Sequence, residues 1–204
     1  MSTAYDRGKR ALDLAIAIPA AVILTPVVAG FAAAVRLETR GPIFFRQERI
    51  GRGGKPFQIL KLRTLYDEPP DGPADYLISA GDQRITRVGA FLRRWSLDEL
   101  PQLWNIIRGD MSVVGPRPTL GYQVEQYTAH QRRRLEVLPG VTGWAQIHGR
   151  NRVAWPERIE LDVWYVDHRS LRLDLRILLL TPRILFEYRS IYDDAQGHWG
   201  ERAS

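Results

Sequence analysis

"LAIAIPAAVILTPVVAGFAAAV", Leu14 to Val35, runs for 22 residues without a charge. As a helix it is long enough to cross a bilayer core of roughly 30 Å, so a single transmembrane anchor is the plainest reading. A cleaved signal peptide fits less well, because the apolar run exceeds the about 7–15 residues of an h-region. "AGFAAAV" nevertheless has the small residues of a cleavage site. Two features point elsewhere. Pro19 and Pro26 each remove a backbone donor and crowd the preceding turn, so the segment is expected to bend. Thr25 can ease a bend at Pro26 by bonding a freed carbonyl. Both flanks are also basic: Arg7, Lys9 and Arg10 precede the segment, and Arg36, Arg40, Arg46, Arg49, Arg52 and Lys55 follow it. Basic flanks of this kind stay on the cytoplasmic side. With both flanks inside, the segment must enter one leaflet, turn and leave by the same face. A span and a re-entrant helix–break–helix both stand on these grounds.

The whole chain has 204 residues, the size of one domain. Its formal charge is +6 and its pI near 9.9, which favours an anionic partner: nucleic acid, an anionic membrane surface or a phosphorylated small molecule. There is no cysteine, so disulfides and thiolate metal sites are excluded and a cytoplasm-facing protein is weakly favoured. Only "EPPDGPAD", Glu68 to Asp75, has the Pro/Gly/Asp density of a mobile loop.

Downstream of the apolar segment, "GPIFFRQERIGRGGKPFQILKLRTL" predicts two strands, near Ile43–Ile50 and Pro56–Leu65, joined by a Gly-rich turn. Lys61 and Arg63 are two residues apart, so both are expected on one face of the second strand, as a phosphate site or as a solvated face. Helices are expected at Ile85–Arg94 and Leu97–Arg108. Ser96-x-x-Glu99 has the form of a capping box, with Pro101 tolerable in a first turn. Asp98 and Glu99 therefore suit a helix start without further function, and equally suit chemistry. Arg117 sits between two prolines in "GDMSVVGPRPT", either a surface turn or a guanidinium held stiffly for a phosphate. "LPGVTGWAQIHGRN", Leu138 to Asn151, reads as loop-rich. Glu157–Asp167 reads as a helix, and Arg169–Tyr188 mixes Arg with Leu and Ile like an interfacial amphipathic helix. The four histidines have no ligand spacing, and no zinc is expected.

Three of these stretches, "GPIFFRQERIGRGGKPFQILKLRTL", "SLDELPQLWNIIRGDMSVVGPRP" and "PGVTGWAQIHGRN", resemble the bacterial sugar transferases called monotopic phosphoglycosyl transferases. The likeness runs from about Lys9 to Tyr188. It implies an α+β protein: a re-entrant membrane helix over residues 1–36, then a cytoplasmic catalytic domain over residues 37–204 with a β-hairpin and amphipathic interfacial helices. It implies transfer of a sugar 1-phosphate from a UDP-sugar to undecaprenyl phosphate at the inner membrane, facing the cytoplasm, with UMP released. That step opens O-antigen, capsule or exopolysaccharide assembly. The family's acidic dyad falls on Asp98, taken as the nucleophile, and Glu99, with Mg²⁺ as cofactor at these two carboxylates. Its phosphate-binding positions fall on Lys61, Arg63, Thr64, Arg93 and Arg117. A nucleotide or sugar loop falls on Gly149, Arg150 and Asn151, with His148 standing where Asn is common. The Ser-Pro kink of the membrane helix falls on Thr25 and Pro26. Membrane lipids are implied as partners, and oligomeric state stays open, a homo-oligomer included.

Two rivals compete. A basic membrane-anchored nucleic-acid-binding protein fits the charge, but no helix-turn-helix, RNP-like or zinc-finger pattern is present, and nucleic acid is not expected. A non-catalytic scaffold is disfavoured by the intact Asp98, Glu99 and Arg117.

Overall fold

The structure, a computed structural model, describes residues 4–66, 82–149 and 153–187. The Pro/Gly/Asp-rich stretch Glu68 to Asp75, and Arg150 and Asn151, lie outside the described residues. The fold is α+β, with one long apolar N-terminal helix and two small sheets. Helix α1 spans Ala4–Glu38. It runs without interruption through Pro19 and Pro26, so the break expected there does not end the helix. Thr25 Oγ1 donates to the Ala21 carbonyl at 2.6 Å, one position before the Val22 carbonyl whose helical donor Pro26 removes.

Strands β1 (Phe44–Ile50) and β2 (Pro56–Leu62) pair antiparallel, from Phe44↔Leu62 to Ile50↔Pro56. Their connection is a tight 3₁₀ turn at Arg52–Gly54, where Gly53 and Gly54 take φ near +70° and +76°. The second strand ends three residues earlier than expected. Helix α2 (Arg87–Arg94) follows, with the Thr86 hydroxyl accepting from Gly89 N–H. A Cβ at Gly89 would lie 2.2 Å from the Thr64 carbonyl, so only glycine lets α2 pack on the chain after β2.

The expected helix Leu97–Arg108 is instead a 3₁₀ turn at Leu97–Glu99 and a separate helix α3 (Gln102–Arg108). The capping box does not form: Ser96 adopts the left-handed conformation (φ 55°) and its side chain makes no cap bond. Strand β3 (Ser112–Val114), short helices α4 (Gly121–Glu125) and α5 (Ala129–Arg132), and strand β4 (Gly140–Thr142) come next. β3 and β4 pair in parallel, Ser112↔Gly140 and Val114↔Thr142. The stretch expected to be loop-rich thus contains β4 and a short helix α6 (Trp144–Ile147). Helices α7 (Trp155–His168) and α8 (Leu171–Glu187) complete the body, close to their expected ranges.

Both ends of α1 are fastened to this body. Near its start, Arg10 donates to the Ile106 and Ile107 carbonyls (2.6 and 2.8 Å), completing the C-terminus of α3. Asp13, fully buried, accepts from Ser112 Oγ (2.9 Å) and Val113 N (3.0 Å) on β3. Ala17 packs into a core of Ile59, Ile106 and Met111. At its far end, Val35 packs with Leu62 and Leu92, and Glu38 accepts from the Arg87 and Val88 amides at the start of α2. Between these anchors Val22 and Ile23 are each 70% exposed. A second core (Val114, Val137, Tyr165, Val166, Ile177) joins the β3–β4 pair to α7 and α8.

If Arg10 completes α3, Arg10→Met should lower the melting temperature of the detergent-solubilised protein. Each charge-assisted bond is worth about 1.5–3 kcal/mol, and about 2–4 °C accompanies each kcal/mol in a chain of this size. A loss of at least about 4 °C is expected by circular dichroism. An unchanged melting temperature would show that this clasp carries no stability.

Candidate active site

The two sheets, α2 and the 3₁₀ turn converge on Glu99. Its Oε1 accepts from Lys61 Nζ at 2.7 Å and from Arg117 Nη2 at 2.8 Å. Lys61 stands on β2 opposite Phe45, and Arg117 follows β3 in the Gly-Pro-Arg-Pro turn. This explains the missing capping box: a carboxylate drawn to two cations is not available to reach back to the Ser96 amide. Burial alone would raise the Glu99 pKa, but Arg117 and then Lys61 overcome it and hold the group well below the usual carboxylate range.

Asp98 is different. It is 8% exposed and, among the described residues, accepts no hydrogen bond. Burial raises its pKa, the adjacent Glu99 raises it further, and Lys61, Arg93 and Arg117 oppose this only in part. Arg93 is oriented by Thr64, whose Oγ1 accepts its Nε–H at 2.7 Å. The backbone at Ser96, two residues before Asp98, is the only left-handed non-glycine conformation among the described residues.

Arg63 departs from expectation. β2 ends at Leu62, one residue before it. Its buried guanidinium donates to the Arg40 carbonyl (2.8 Å) and to Thr39 O and Oγ1 (3.2 and 2.6 Å), just past the end of α1. It fastens the end of α1. Gly149 has φ near +138°, and a Cβ there would meet Val153 Cγ2 at 2.6 Å. That position requires glycine for backbone reasons.

The profile of the family described as "Bacterial sugar transferase" matches residues 4–188. The chain belongs to the bacterial sugar transferase family. It is 48% identical to "uncharacterized sugar transferase EpsL" of Bacillus subtilis, over 86% of this chain and 85% of that one. It is 44% identical to a UDP-glucose:undecaprenyl-phosphate glucose-1-phosphate transferase of Caulobacter vibrioides, over 89% of this chain and 71% of that one. A protein of the same description from Xanthomonas campestris is 41% identical, over 91% of this chain and 40% of its own length.

Some residues around the site of this sugar transferase carried no local signal. Arg49, on β1, reaches the Pro118 carbonyl at 3.4 Å beside Arg117. Burial, and then Arg117, lower its pKa to about 10. Burial followed by Arg117 also lowers that of Arg158 on α7. Buried Arg134 bonds the Arg117 carbonyl (3.0 Å), the Tyr127 hydroxyl (2.6 Å) and Asp162, so it holds the Gly-Pro-Arg-Pro turn. Burial raises the Asp162 pKa to about 6 despite Arg134. Arg49 sits in a stretch read only as a strand and basic flank, Arg134 in one that carries no reading, and their targets are set by the fold.

No group of three His, Cys, Asp or Glu side chains is assembled among the described residues, so there is no all-protein cage for a metal. Adjacent carboxylates with one member unclaimed by hydrogen bonds fit the other way of holding Mg²⁺, through one or two carboxylates completed by substrate phosphate oxygens and water. Beside Glu99 lies a cavity of about 330 Å³, bounded by the 3₁₀ turn, α3, β4, α6 and α8.

The raised Asp98 pKa has a consequence for stability. A folded carboxylate with a raised pKa binds its proton more tightly than the unfolded chain does. Stability therefore falls as pH rises from the ordinary aspartate value, about 3.9, through the raised one. Asp98→Asn removes that cost. Its melting temperature should exceed that of wild type at pH 8, and the gain should shrink as the pH approaches about 4. An Asn variant less stable than wild type at pH 8 would contradict this.

Proposed function

We propose that this protein transfers a sugar 1-phosphate from a UDP-sugar to undecaprenyl phosphate, releasing UMP, with Asp98 as the nucleophile. The observation that carries the reading is the division of labour in the acidic pair. Glu99 is neutralised by Lys61 and Arg117, while Asp98 stays unclaimed and of raised basicity. A diphosphate repels nucleophiles by its own charge, and the group Lys61, Arg93 and Arg117 offsets it. An Asp98 oxygen attacks the β-phosphorus, the bond to the bridging oxygen breaks, and UMP leaves with the electron pair. An oxygen of undecaprenyl phosphate then attacks the same phosphorus and releases the Asp98 carboxylate. The bond from the anomeric carbon to oxygen is never broken, so the sugar configuration is kept. Asp98 and Glu99 would hold Mg²⁺, which would supply further charge neutralisation. Thr64 orients Arg93, and Arg134 holds the turn that carries Arg117. The loop at Gly149, Arg150 and Asn151 is assigned to the nucleotide or sugar.

We further propose that residues 1–36 form a re-entrant membrane segment and residues 37–204 the cytoplasmic catalytic domain, on the inner membrane. A full span puts the two ends of a helix on opposite faces of a hydrocarbon core of roughly 30 Å. Here Arg10 and Asp13 bond α3 and β3, while Glu38 bonds the start of α2, so both ends rest on one body. The apolar middle of α1 is left uncovered. On α8, Leu171, Leu175 and Leu179 are exposed at four-residue spacing, one stripe suited to a membrane surface.

UMP release from a panel of UDP-sugars, with undecaprenyl phosphate and Mg²⁺, tests the activity. One UDP-sugar should support turnover, and Asp98→Asn should reduce it to background. Near-normal turnover by the Asn variant would remove Asp98 from the chemistry. Among the cations, Arg93→Ala and Lys61→Ala should lower kcat/KM by about one to several orders of magnitude. Arg63→Ala should act chiefly on stability.

Topology is tested separately. The chain has no cysteine, so single cysteines at Ser2 and at Arg40 report cleanly. Both should react with a membrane-impermeant thiol reagent only after cell lysis. Labelling of the Ser2 position in intact cells would mean a full span.

A further inference from the structure

We infer that the cavity beside Glu99 receives the isoprene units of the acceptor lipid that lie next to its phosphate. This rests on the proposal that the acceptor is a polyprenol phosphate, and it says where that molecule's hydrocarbon goes. Glu99 is one of its lining residues and is the chain neighbour of Asp98, so the cavity lies beside the acidic pair, although Asp98 itself is not in its wall. Its walls are mainly apolar, with Trp95, Leu100, Leu103, Val141 and Ile147 among them, and no Lys or Arg lines it.

Three of the polar wall residues, Thr142, Thr181 and Glu99, are turned to other partners. The Thr142 and Thr181 hydroxyls bond each other at 2.8 Å. The Glu99 carboxylate is held by Lys61 and Arg117. The Gln146 amide is unpaired but shielded from solvent, and folds back against Gly143, where a Cβ would lie 2.7 Å from its Oε1. A nucleoside diphosphate needs cations and open hydrogen-bonding groups, and this wall offers no cation. The cationic residues Arg49, Lys61, Arg93, Arg117 and Arg158 are all outside it.

The surface continues the path. Trp95 and Phe91, four residues apart on and just after α2, are 37% and 50% exposed. The Phe91 ring lies 6.2 Å from that of Phe31 on α1. Apolar side chains thus lead from the exposed part of α1, over α2, to the cavity. On the opposite wall Thr181 belongs to α8, whose Leu171, Leu175 and Leu179 face outward. Contact with these apolar side chains favours a hydrocarbon chain.

The test uses wild-type protein in lipid nanodiscs and farnesyl phosphate carrying a terminal benzophenone. After irradiation, adducts should fall in residues 95–103 and 141–147, and excess undecaprenyl phosphate should suppress them. Adducts confined to the exposed middle of α1, or unaffected by the competitor, overturn the assignment. This readout needs no turnover, so it decides the cavity's occupant even if no UDP-sugar proves to be a substrate and the proposed activity fails. In a second arm Val141→Phe narrows the cavity. KM for undecaprenyl phosphate should rise about fivefold or more, with KM for the UDP-sugar within about twofold of wild type. The opposite split would give the cavity to the nucleotide and overturn the inference. If Val141→Phe does not fold, the adduct map alone decides.

Discussion

The arrangement depends on one carboxylate oxygen. Glu99 Oε1 receives Lys61 from the hairpin and Arg117 from the turn after β3, tying together segments that are 38 and 18 residues away in the chain. Without that charge-assisted junction, the 3₁₀ turn that carries Asp98 would have no fixed relation to the cations around it. The junction also explains why two adjacent acids behave oppositely. Glu99 is held ionised by its two partners. Asp98 is buried beside an ionised neighbour with no donor of its own, which raises its basicity. Such a group is costly to the fold, a cost commonly met at active sites.

Helix α1 is built into the same body by a different set of contacts. Arg10 completes the end of α3, Asp13 takes two donors from β3, Glu38 caps α2 and Arg63 closes on the carbonyls after α1. α3 begins three residues after Glu99, and α2 carries Arg93. The elements that hold the helix are therefore the ones that flank the site. The same contacts therefore hold the site at a fixed position relative to both ends of α1.

Much of this was legible in the sequence, for identifiable reasons. The apolar segment, the Gly-rich hairpin turn and helices α7 and α8 are written in local composition and periodicity. Asp98, Glu99, Lys61, Arg93 and Arg117 came from motif resemblance, and in the structure Lys61 and Arg117 do meet at Glu99. The misreadings share a cause. Ser96-x-x-Glu99 looks like a capping box in any short window, but Glu99 is claimed by a lysine far away in the chain. Alternation put Arg63 beside Lys61, yet β2 stops at Leu62 and the end of α1 takes the guanidinium. The parallel β3–β4 pair and the Arg134 support of Arg117 are long-range contacts that leave no periodic trace. Arg10 reads only as a flank of an apolar run, and Asp13 carries no reading, because their partners lie about a hundred residues on.

The central claim is that Asp98 becomes covalently phosphorylated by the donor sugar. It is tested most directly by intact-protein mass spectrometry of wild-type enzyme incubated with its UDP-sugar and no acceptor lipid, quenched rapidly in acid. A mass gain equal to one sugar phosphate is expected, mapping by peptide sequencing to Asp98 and disappearing when undecaprenyl phosphate is added before the quench. UMP formation in the full reaction with no such adduct at any quench time, or an adduct on another residue, would contradict it.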